Sequence, residues 1–422
     1  MAQLIIVGAG AAGLFAAGAA ARAGHRVTLL EQGPRPGRKL LITGKGRCNL
    51  VNDCPPAEFL KHVRRNPRFL YSALAACPPA AVIDLFQQRL GVPLKTERGR
   101  RVFPVSDRAA DVLDALLRWA GDARLLCGTR VQQLVLAGGA CRGVQLADGR
   151  ALAADGVLIA TGGVSYPVTG STGDGYRFAI QAGHTIVPPE PSLVSLVEQG
   201  RVAKRMTGLS LRNVALTLWE GGRAVFTEQG EMLCTHFGVS GPLVLSASAH
   251  IRDMGKYSYR LTIDLKPALT PEQLEARIQR DFSAMGGKQA ANALDKLAPA
   301  SMRPVLVDLW GVDPAKKVGQ ITRAERRQLA QLMKAVPIEL KEKGDLAHAV
   351  VTSGGVNVKE VDPKTMESRL CPGLYFAGEV LDVDGYTGGY NLGIAWATAW
   401  AAAVHFAGGK GEPLGEMPQA MY

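Results

Sequence analysis

The stretch Leu4-Ile-Ile-Val-Gly-Ala-Gly-Ala-Ala-Gly13 decides the fold of this 422-residue chain. Its apolar run predicts a buried strand, and the three glycines at GxGxxG spacing predict a tight turn followed by a helix that begins near Ala11. Gly8 permits the turn, Gly10 lets the backbone approach a pyrophosphate, and Gly13 lets the helix pack closely on the strand. Phosphate oxygens would then lie against the unpaired N–H groups at the positive end of the helix.

The next predicted strand, Arg26-Val-Thr-Leu-Leu-Glu31, strengthens this interpretation. It ends in an acid 18 residues after Gly13, and a dinucleotide fold uses a carboxylate at that place to bind ribose hydroxyls. A lone GxGxxG is weak evidence, but the glycines together with Glu31 predict a dinucleotide site.

The composition is that of a globular chain without export or membrane signals. Apolar residues make up 47% and charged residues 20% of the sequence, as in soluble proteins. The uncharged segment from Leu4 to Ala21 is rich in alanine and glycine and has no basic region before it, so we expect neither a signal peptide nor a membrane span. Seven scattered cysteines without a CxxC pair predict reduced thiols in a cytoplasmic protein, with no disulfide framework and no metal site.

The net charge of +12 is concentrated in one part of the chain. Residues 35–101 hold fourteen Lys and Arg against four Asp and Glu, an excess of ten. Such a block suits a polyanion such as a nucleic acid. It is equally typical of a solvated basic surface whose charges also serve the phosphates of a cofactor.

Between Pro56 and Ala160 the pattern changes from helices to short strands. Helical periodicity extends to about Gly121, and residues 124–160 alternate as short strands. The last strand ends in Thr161-Gly162-Gly163. A glycine turn at the carboxyl end of a parallel strand is where open α/β folds bind ligands.

The second half of the chain changes character twice. We interpret Pro188-Pro-Glu-Pro191 as a linker and residues 192–266, which contain several strand-like segments, as an all-β insert forming a small barrel. Capping boxes at Thr270 and Thr322 then begin helices. The chain then returns to the first domain, where Ala349-Val-Val-Thr-Ser-Gly-Gly355 predicts a strand that ends in a glycine turn and a further apolar strand ends in Gly378-Glu379.

Two side chains outside the glycine motifs are candidates for chemistry. Cys48 lies near Lys45 and Arg47, which would lower its pKa and make it a better acid or nucleophile. His236 is bracketed by loop-forming residues. The alternatives are that Cys48 is a small packing residue and that His236 is structural.

Gly385-Tyr-Thr-Gly-Gly-Tyr-Asn-Leu392 opens a long apolar helix. Two glycines before a helix N-terminus offer backbone donors to an electron-rich ring carbonyl and would stabilise negative charge on a reduced flavin. The alternative is an ordinary helix start.

Taken together, these segments resemble the FAD domain of glutathione-reductase-like flavoproteins, with GAGAAG, ATGG and GLYFAGE in the same order. More narrowly, the chain resembles the HI0933/YhiN family of bacterial flavoproteins. The motifs that carry this resemblance are GRKLLITGKGRCN, GGVSYPVTGSTGDGY, THFGVSGP, VTSGGV and GEVLDVDGYTGGYN. They span nearly the whole chain.

The resemblance implies an α/β fold, in which a discontinuous Rossmann-like FAD domain is interrupted by a β-barrel insert that carries a nested helical subdomain. The expected limits are the FAD domain, first part, 1–190; the barrel, 191–268; the helical insert, 269–336; a return through the barrel, 337–348; and the FAD domain, second part, 349–422.

The resemblance also places residues at the cofactor. The glycine motif holds the pyrophosphate, Glu31 the adenosine ribose, Glu379 the ribitol, and Gly389 to Asn391 the flavin, while Arg38 and Lys39 fall near the adenosine side. The full expected FAD set is Gly8, Gly10, Ala11, Ala12, Gly13, Glu31, Gln32, Arg38, Lys39, Gly46, Arg47, Val131, Ala160, Thr161, Gly162, Gly378, Glu379, Gly389, Tyr390, Asn391 and Leu392. One position departs from the family, since Gly393 stands where many relatives have glutamine.

The activity that the resemblance implies is FAD-dependent reduction of a polarised C=C bond, in uridine of large-subunit ribosomal RNA or in a small conjugated enone. Hydride would leave the reduced flavin and an acid would protonate the neighbouring carbon, with Cys48, Tyr386 and His236 as candidate acids. Because the chain has one GxGxxG motif, a separate NAD(P)H domain is not expected, so NAD(P)H would dock transiently as electron donor, or the electrons would come from another donor. A non-catalytic flavin redox sensor is the remaining alternative.

Overall fold

The computed structural model describes residues 1–408 and 413–414. Its strands, in chain order, are β1 (Gln3–Val7), β2 (Arg26–Leu30), β3 (Val51–Asn52), β4 (Leu94–Glu97), β5 (Arg101–Pro104), β6 (Arg124–Leu126), β7 (Val131–Ala137), β8 (Ala140–Leu146), β9 (Ala151–Ala153), β10 (Gly156–Ile159), β11 (Ile186–Ser192), β12 (Leu196–Glu198), β13 (Ser210–Glu220), β14 (Arg223–Cys234), β15 (Gly238–Ser240), β16 (Tyr259–Asp264), β17 (Val336–Lys343), β18 (Val351–Val356) and β19 (Leu374–Phe376).

The α-helices in the same residues are α1 (Ala11–Arg22), α2 (Arg38–Ile42), α3 (Pro56–Lys61), α4 (Tyr71–Ala76), α5 (Pro79–Asp84), α6 (Ala109–Ala120), α7 (Asp174–Gln181), α8 (Pro242–Ser248), α9 (Pro271–Ser283), α10 (Arg303–Trp310), α11 (Arg323–Lys334) and α12 (Tyr390–His405). No single helix in the described part of the chain is long and apolar enough to cross a membrane. One bent pair, Pro67–Ala76 with Pro79–Arg89, passes that test together.

A five-stranded parallel sheet in the order β19-β10-β1-β2-β6 forms the centre of the first compact unit, which comprises Met1–Ser192 and the chain from Leu346 onward. Val7 lies opposite Leu30 on one side and Ile159 on the other, and Ile159 lies opposite Phe376. Leu30 in turn lies opposite Leu126, so all five strands end at the same edge. This is the doubly wound order in which ligands bind at the carboxyl ends of the strands.

Aromatic side chains fix α1 and α12 of this unit against each other. Phe15 of α1 lies 5.3 Å from Trp396 of α12 between ring centroids, and both rings are fully buried. The indole N–H of Trp119 donates to the Phe15 carbonyl at 2.9 Å, and that of Trp396 donates to the Leu50 carbonyl at 2.8 Å. Burial stabilises the fold by roughly 1.5–3 kcal/mol for each large side chain. The hydrogen bonds satisfy the only polar atom of each indole.

The second compact unit, Leu193–Asp345, contains a closed six-stranded antiparallel barrel in the order β12-β15-β14-β13-β16-β17. The helices α9, α10 and α11 belong to the same unit. Both predicted capping boxes are present, because Thr270 and Thr322 each accept a hydrogen bond from the backbone three residues ahead. The predicted fold class is confirmed. The exact domain limits stay a prediction, and residues 409–412 and 415–422 of the last one lie outside the described residues.

The interpretation of Pro188 to Pro191 as a linker is wrong. These residues lie within β11, which pairs antiparallel with β18. The prolines are tolerated for two reasons: the sheet has two strands, so each strand has an open edge, and the register shifts between Val187 and Glu190. Proline composition alone does not distinguish a spacer from an irregular edge strand.

Candidate functional site

The turn between β1 and α1 has the geometry that the glycine motif predicts. Gly8 has a φ of +105°, and a Cβ there would lie 2.6 Å from the Ala160 carbonyl oxygen. A Cβ on Gly13 would lie 1.9 Å from the Gly8 oxygen. In contrast, a Cβ on Gly10 would meet no described atom within 4 Å. Gly8 and Gly13 are therefore required by packing, whereas Gly10 borders open space in front of the helix.

That open space lies in front of the first backbone donors of α1. The first intrahelical bond of α1 runs from the Leu14 N–H to the Gly10 oxygen at 3.0 Å, so the N–H groups of Ala11, Ala12 and Gly13 have no acceptor within the helix. Backbone donors at a helix N-terminus bind phosphate. This part of the site therefore fits the pyrophosphate of a dinucleotide.

Glu31 lies beside this turn at the end of β2. Its carboxylate accepts hydrogen bonds from the backbone N–H groups of Ala9, at 3.0 Å, and Gly33, at 2.7 Å. The adjacent Gln32 donates to the Gly170 carbonyl at 2.8 Å. The N–H of Thr129 donates to the Glu31 carbonyl at 2.9 Å. This bond brings Val131, the first residue of β7, close to the same sheet edge. The acid is thus held at the sheet edge, as expected for a ribose ligand.

The Glu379 carboxylate at the sheet edge has several polar partners. Lys39 Nζ lies 2.7 Å from its Oε2, Ser165 donates to Oε1 at 2.9 Å, and the Thr352 N–H donates to Oε1 at 2.8 Å. Burial by itself raises the pKa of Glu379, but attraction to Lys39 and these hydrogen bonds outweigh it, so the pKa is lowered. Glu379 is therefore ionised at neutral pH.

This ion pair modifies the cofactor positions implied by the resemblance. Lys39 was expected near the adenosine and Glu379 near the ribitol, yet the two side chains touch. Arg38 lies elsewhere, with its Cδ close to Gly33 beside Glu31. Successive residues at the start of α2 therefore face different parts of the site, because neighbouring helix positions point about 100° apart.

Two hydroxyl groups near the second glycine turn have no hydrogen-bond partner among the described residues. They are the Thr161 Oγ1 after β10 and the phenol of Tyr176 in α7, and both atoms are buried. Buried polar groups left unpaired cost free energy, and an absent ligand is a common explanation. Ala160, Thr161 and Gly162 thus stand at the strand end where the sequence placed them, beside orphaned polar atoms that a bound cofactor could satisfy.

The N-terminus of α12 packs on β3. Gly389 has a φ of +100°, and a Cβ there would lie 2.4 Å from the Val51 carbonyl carbon. With its amide in the orientation that satisfies both its groups, Asn49 accepts a hydrogen bond from the Gly389 N–H at 3.1 Å.

Gly378, after the end of β19, would place a Cβ 3.1 Å from that of Ala12. The C-terminal glycine motif and the first glycine motif therefore meet. Tyr390, Asn391 and Leu392 form the first turn of this helix.

Gly393, the departure from the family pattern, has a packing reason. A Cβ on this residue would lie 2.7 Å from the ring of Phe59 and 3.4 Å from the Val51 side chain. The buried Phe59 ring therefore occupies the place of a side chain at position 393.

The expectation of a lowered pKa for Cys48 is wrong. Its thiol is fully buried, and burial raises its pKa to about 12, against a smaller opposing effect of the hydrogen bond with Thr43. Arg47 does not face the thiol as a free cation, because it forms ion pairs with Glu97 and Asp107 and stacks over Phe103. Gly46 precedes it in a left-handed conformation. Neighbours in sequence therefore do not define the electrostatics of Cys48.

The other two candidate acids lie in different units. His236 belongs to the second unit, where it is exposed and its ring contacts Phe237. Tyr386 belongs to the first unit, close to the start of α12. Its N–H donates to the His62 carbonyl at 2.9 Å, and its ring lies 6.0 Å from that of His62. No motif in the sequence pointed to His62.

Comparison with known proteins identifies this arrangement. The family described as HI0933-like protein Rossmann domain matches residues 2–405. The chain belongs to this family. It is 34% identical to the 3-dehydro-bile acid delta(4,6)-reductase of Clostridium scindens, over 95% of this chain and 98% of that one. It is 32% identical to the ribosomal RNA dihydrouridine synthase of Escherichia coli, over 94% and 96%.

The chain is also similar to the solved structure of the 3-ketosteroid delta1-dehydrogenase of Sterolibacterium denitrificans. The TM-score is 0.49 and the identity 15%, over 96% of this chain and 99% of that one. The predicted HI0933-like family is confirmed, and with it the prediction of a flavoprotein oxidoreductase. The individual site residues stay predictions.

Proposed function

We propose that the protein binds FAD and reduces a polarised C=C bond, with uridine in large-subunit ribosomal RNA as its lead substrate. The proposal that FAD binds here rests on the open space at Gly10. This space lies in front of the first N–H groups of α1, and the Glu31 carboxylate lies beside it. A pyrophosphate and a ribose would be bound by these groups. Bound FAD would supply the hydride, and NAD(P)H is the proposed donor that reduces it.

The names of the relatives support the reaction class. A bile acid reductase that acts on a conjugated system and a uridine-reducing synthase share one chemical step, the addition of two hydrogens to an activated double bond. The two relatives differ in the size and charge of what must be bound. The substrate is therefore argued from the surface of this chain.

The basic block favours the RNA. Ion pairs are formed by Lys39, Arg47, Lys61, Arg65, Arg89, Lys95 and Arg101 of this block. The side chains of Arg35, Lys45, Arg64, Arg68, Arg98 and Arg100 are exposed. Exposed cations bind phosphates at little desolvation cost. Action on ribosomal RNA would agree with the predicted cytoplasmic location.

The test is anaerobic and compares two acceptors. Purified protein is loaded with FAD, reduced, and offered under-modified ribosomal RNA and a panel of conjugated enones in separate reactions. A mass increase of two hydrogens in uridine supports the proposal. Reduction of enones alone would favour the small-molecule alternative. If neither acceptor reoxidises the flavin faster than oxygen does in a separate aerobic reaction, the redox-sensor alternative would be favoured.

A matched variant tests the role of the surface. The triple variant Arg64→Glu, Arg68→Glu, Arg100→Glu changes exposed side chains and should abolish RNA reduction while leaving FAD content unchanged. Arg65 is unsuitable for this purpose because it pairs with the buried Asp382 at 2.6 Å. If the triple variant reduces RNA at the wild-type rate and with the same dependence on salt, the proposed role of this surface in binding RNA is contradicted.

A further inference from the structure

A cluster of three rings lies at the N-terminus of α12. The imidazole of His62 stacks on the ring of Tyr390, with 4.6 Å between centroids and 4° between planes. The ring of Tyr386 meets the same imidazole edge-on at 6.0 Å. Tyr390 is the first residue of α12 and follows the glycine pair proposed to face the flavin. The imidazole therefore lies beside the part of the site where the acceptor would be reduced.

The backbone holds His62 firmly in this place. His62 follows directly after α3, Val63 forms an antiparallel bridge with Gly385, and the Arg64 N–H donates to the Asp384 carbonyl at 2.7 Å. Asp384 is itself buried and accepts hydrogen bonds from Ser192 and Ser353. Segments more than 300 residues apart in the chain are thus fixed to each other around the imidazole.

One nitrogen of the ring is engaged and the other is available. His62 Nδ1 lies 3.0 Å from the Glu58 carbonyl oxygen, a bond that requires a proton on Nδ1. Within residues 1–408 and 413–414, no hydrogen bond reaches Nε2, and the side chain is half-buried. A histidine held in this way keeps its Nε2 side open to an acceptor, and imidazole is the side chain most often used for proton transfer in catalysis.

We propose that His62, through Nε2, is the acid that protonates the acceptor. This inference rests on the proposed function. Bound reduced FAD would supply a hydride to the β-carbon, and the electron pair of the C=C bond would take the Nε2 proton at the α-carbon. The substrate gains two hydrogens, the cofactor loses two electrons, and the imidazole recovers its proton from water.

The competing acids fit this role less well. The Cys48 thiol is fully buried, so an acceptor cannot reach it. Tyr386 lies beside His62, with its ring edge-on to the imidazole. Tyr386 and Tyr390 are positioning residues in this scheme, because their rings fix the plane of the imidazole.

The experiment separates the two half-reactions in the FAD-loaded protein. His62→Phe keeps a flat ring against Tyr390 but cannot donate a proton. It should bind FAD and be reduced at the wild-type rate, while its reoxidation by the acceptor falls at least about 100-fold. Reoxidation of His62→Ala should be partly restored by added imidazole. The control is His405→Phe, since His405 makes the same ring-to-carbonyl bond, to Ala401 at 2.9 Å, at the far end of α12.

A binding measurement gives a readout that is independent of turnover. Diethyl pyrocarbonate should modify His62 in the oxidised protein, and an RNA hairpin that contains dihydrouridine should protect it, while His405 shows no protection. Peptide mass spectrometry quantifies the modification of both residues.

Wild-type protein that reduces neither RNA nor enones would overturn the proposed function. Wild-type protein that reduces an acceptor, with His62→Phe reoxidised at the same rate, would overturn only the role of His62.

Discussion

Lys39 and Glu379 form an ion pair of 2.7 Å although 340 positions separate them in the chain. Lys39 lies in the helix that follows the first two strands of the sheet, and Glu379 follows the last one. The pair therefore joins the two parts of a discontinuous nucleotide-binding unit at the edge where its strands end. Any ligand bound by Glu379 also depends on the position of Lys39.

Replacing Lys39 should destabilise the protein. Lys39→Met leaves the Glu379 carboxylate without its cation, and an unpaired, largely buried charge costs about 1–3 kcal/mol. Urea unfolding of the apoprotein measures the change. Lys61→Met is the control, because its pair with Glu58 is exposed and should contribute little. Equal midpoints for Lys39→Met and wild type would contradict a stabilising role of the pair.

The same pair should make stability depend on pH in one direction. Since the pKa of Glu379 is lowered in the folded protein, its contribution is present above the unfolded value of about 4.3 and disappears as the pH falls through the folded value. The difference in unfolding free energy between wild type and Lys39→Met should therefore be largest near neutral pH and shrink in acid. A difference that grows as the pH falls would show that the sign is wrong.

The glycine motif gives a prediction that separates folding from cofactor binding. Gly10→Ala meets nothing in the described residues, and its φ of −85° suits alanine, so the apoprotein should keep its stability. Its FAD affinity should fall at least about tenfold, which corresponds to 1.4 kcal/mol. Gly13→Ala is the matched contrast and should lose about 1–3 kcal/mol of stability through overpacking. Titration of FAD into both apoproteins tests the distinction.

Gly393 gives a packing prediction. Gly393→Ala should destabilise the protein by about 1–3 kcal/mol, because the new methyl group meets the Phe59 ring. Phe59→Leu combined with Gly393→Ala should recover part of that loss, since residues in contact are coupled. Thermal unfolding of the two single variants and the double variant measures the coupling. Strictly additive effects would indicate that Phe59 is not the obstacle.

The cysteines can be tested directly in the native protein. Cys127 is exposed, whereas the other six, Cys48 among them, are buried. A thiol reagent should therefore modify one cysteine rapidly and the rest only after denaturation. Rapid modification of Cys48, identified by peptide mapping, would contradict its burial.

The local features could be predicted from the sequence because short-range chemistry dictates them. The turn at Gly8 and the capping boxes at Thr270 and Thr322 follow from backbone conformation and hydrogen bonding within a few residues. The long-range features could not be predicted. The charge state of Cys48 is set by burial and not by its neighbours Lys45 and Arg47, and the register shift that admits Pro188 into β11 depends on a strand more than 150 residues away.

The candidate site shows the same division. The sequence indicated the glycines and Glu31, whose roles depend on one turn, but not the contact of Lys39 with Glu379, which requires the whole sheet to form. His62 carried no signal because its surroundings, Tyr386 and Tyr390, come from the other end of the chain. Side chains that act through distant partners become visible only in the folded protein.

The most direct test of this account is the flavin content of the purified protein. Full-length protein, denatured after purification, should release about one FAD per chain, and apoprotein should regain the flavin absorbance when FAD is added. A colourless protein that takes up no FAD would contradict the central claim that separate parts of the chain together bind one dinucleotide.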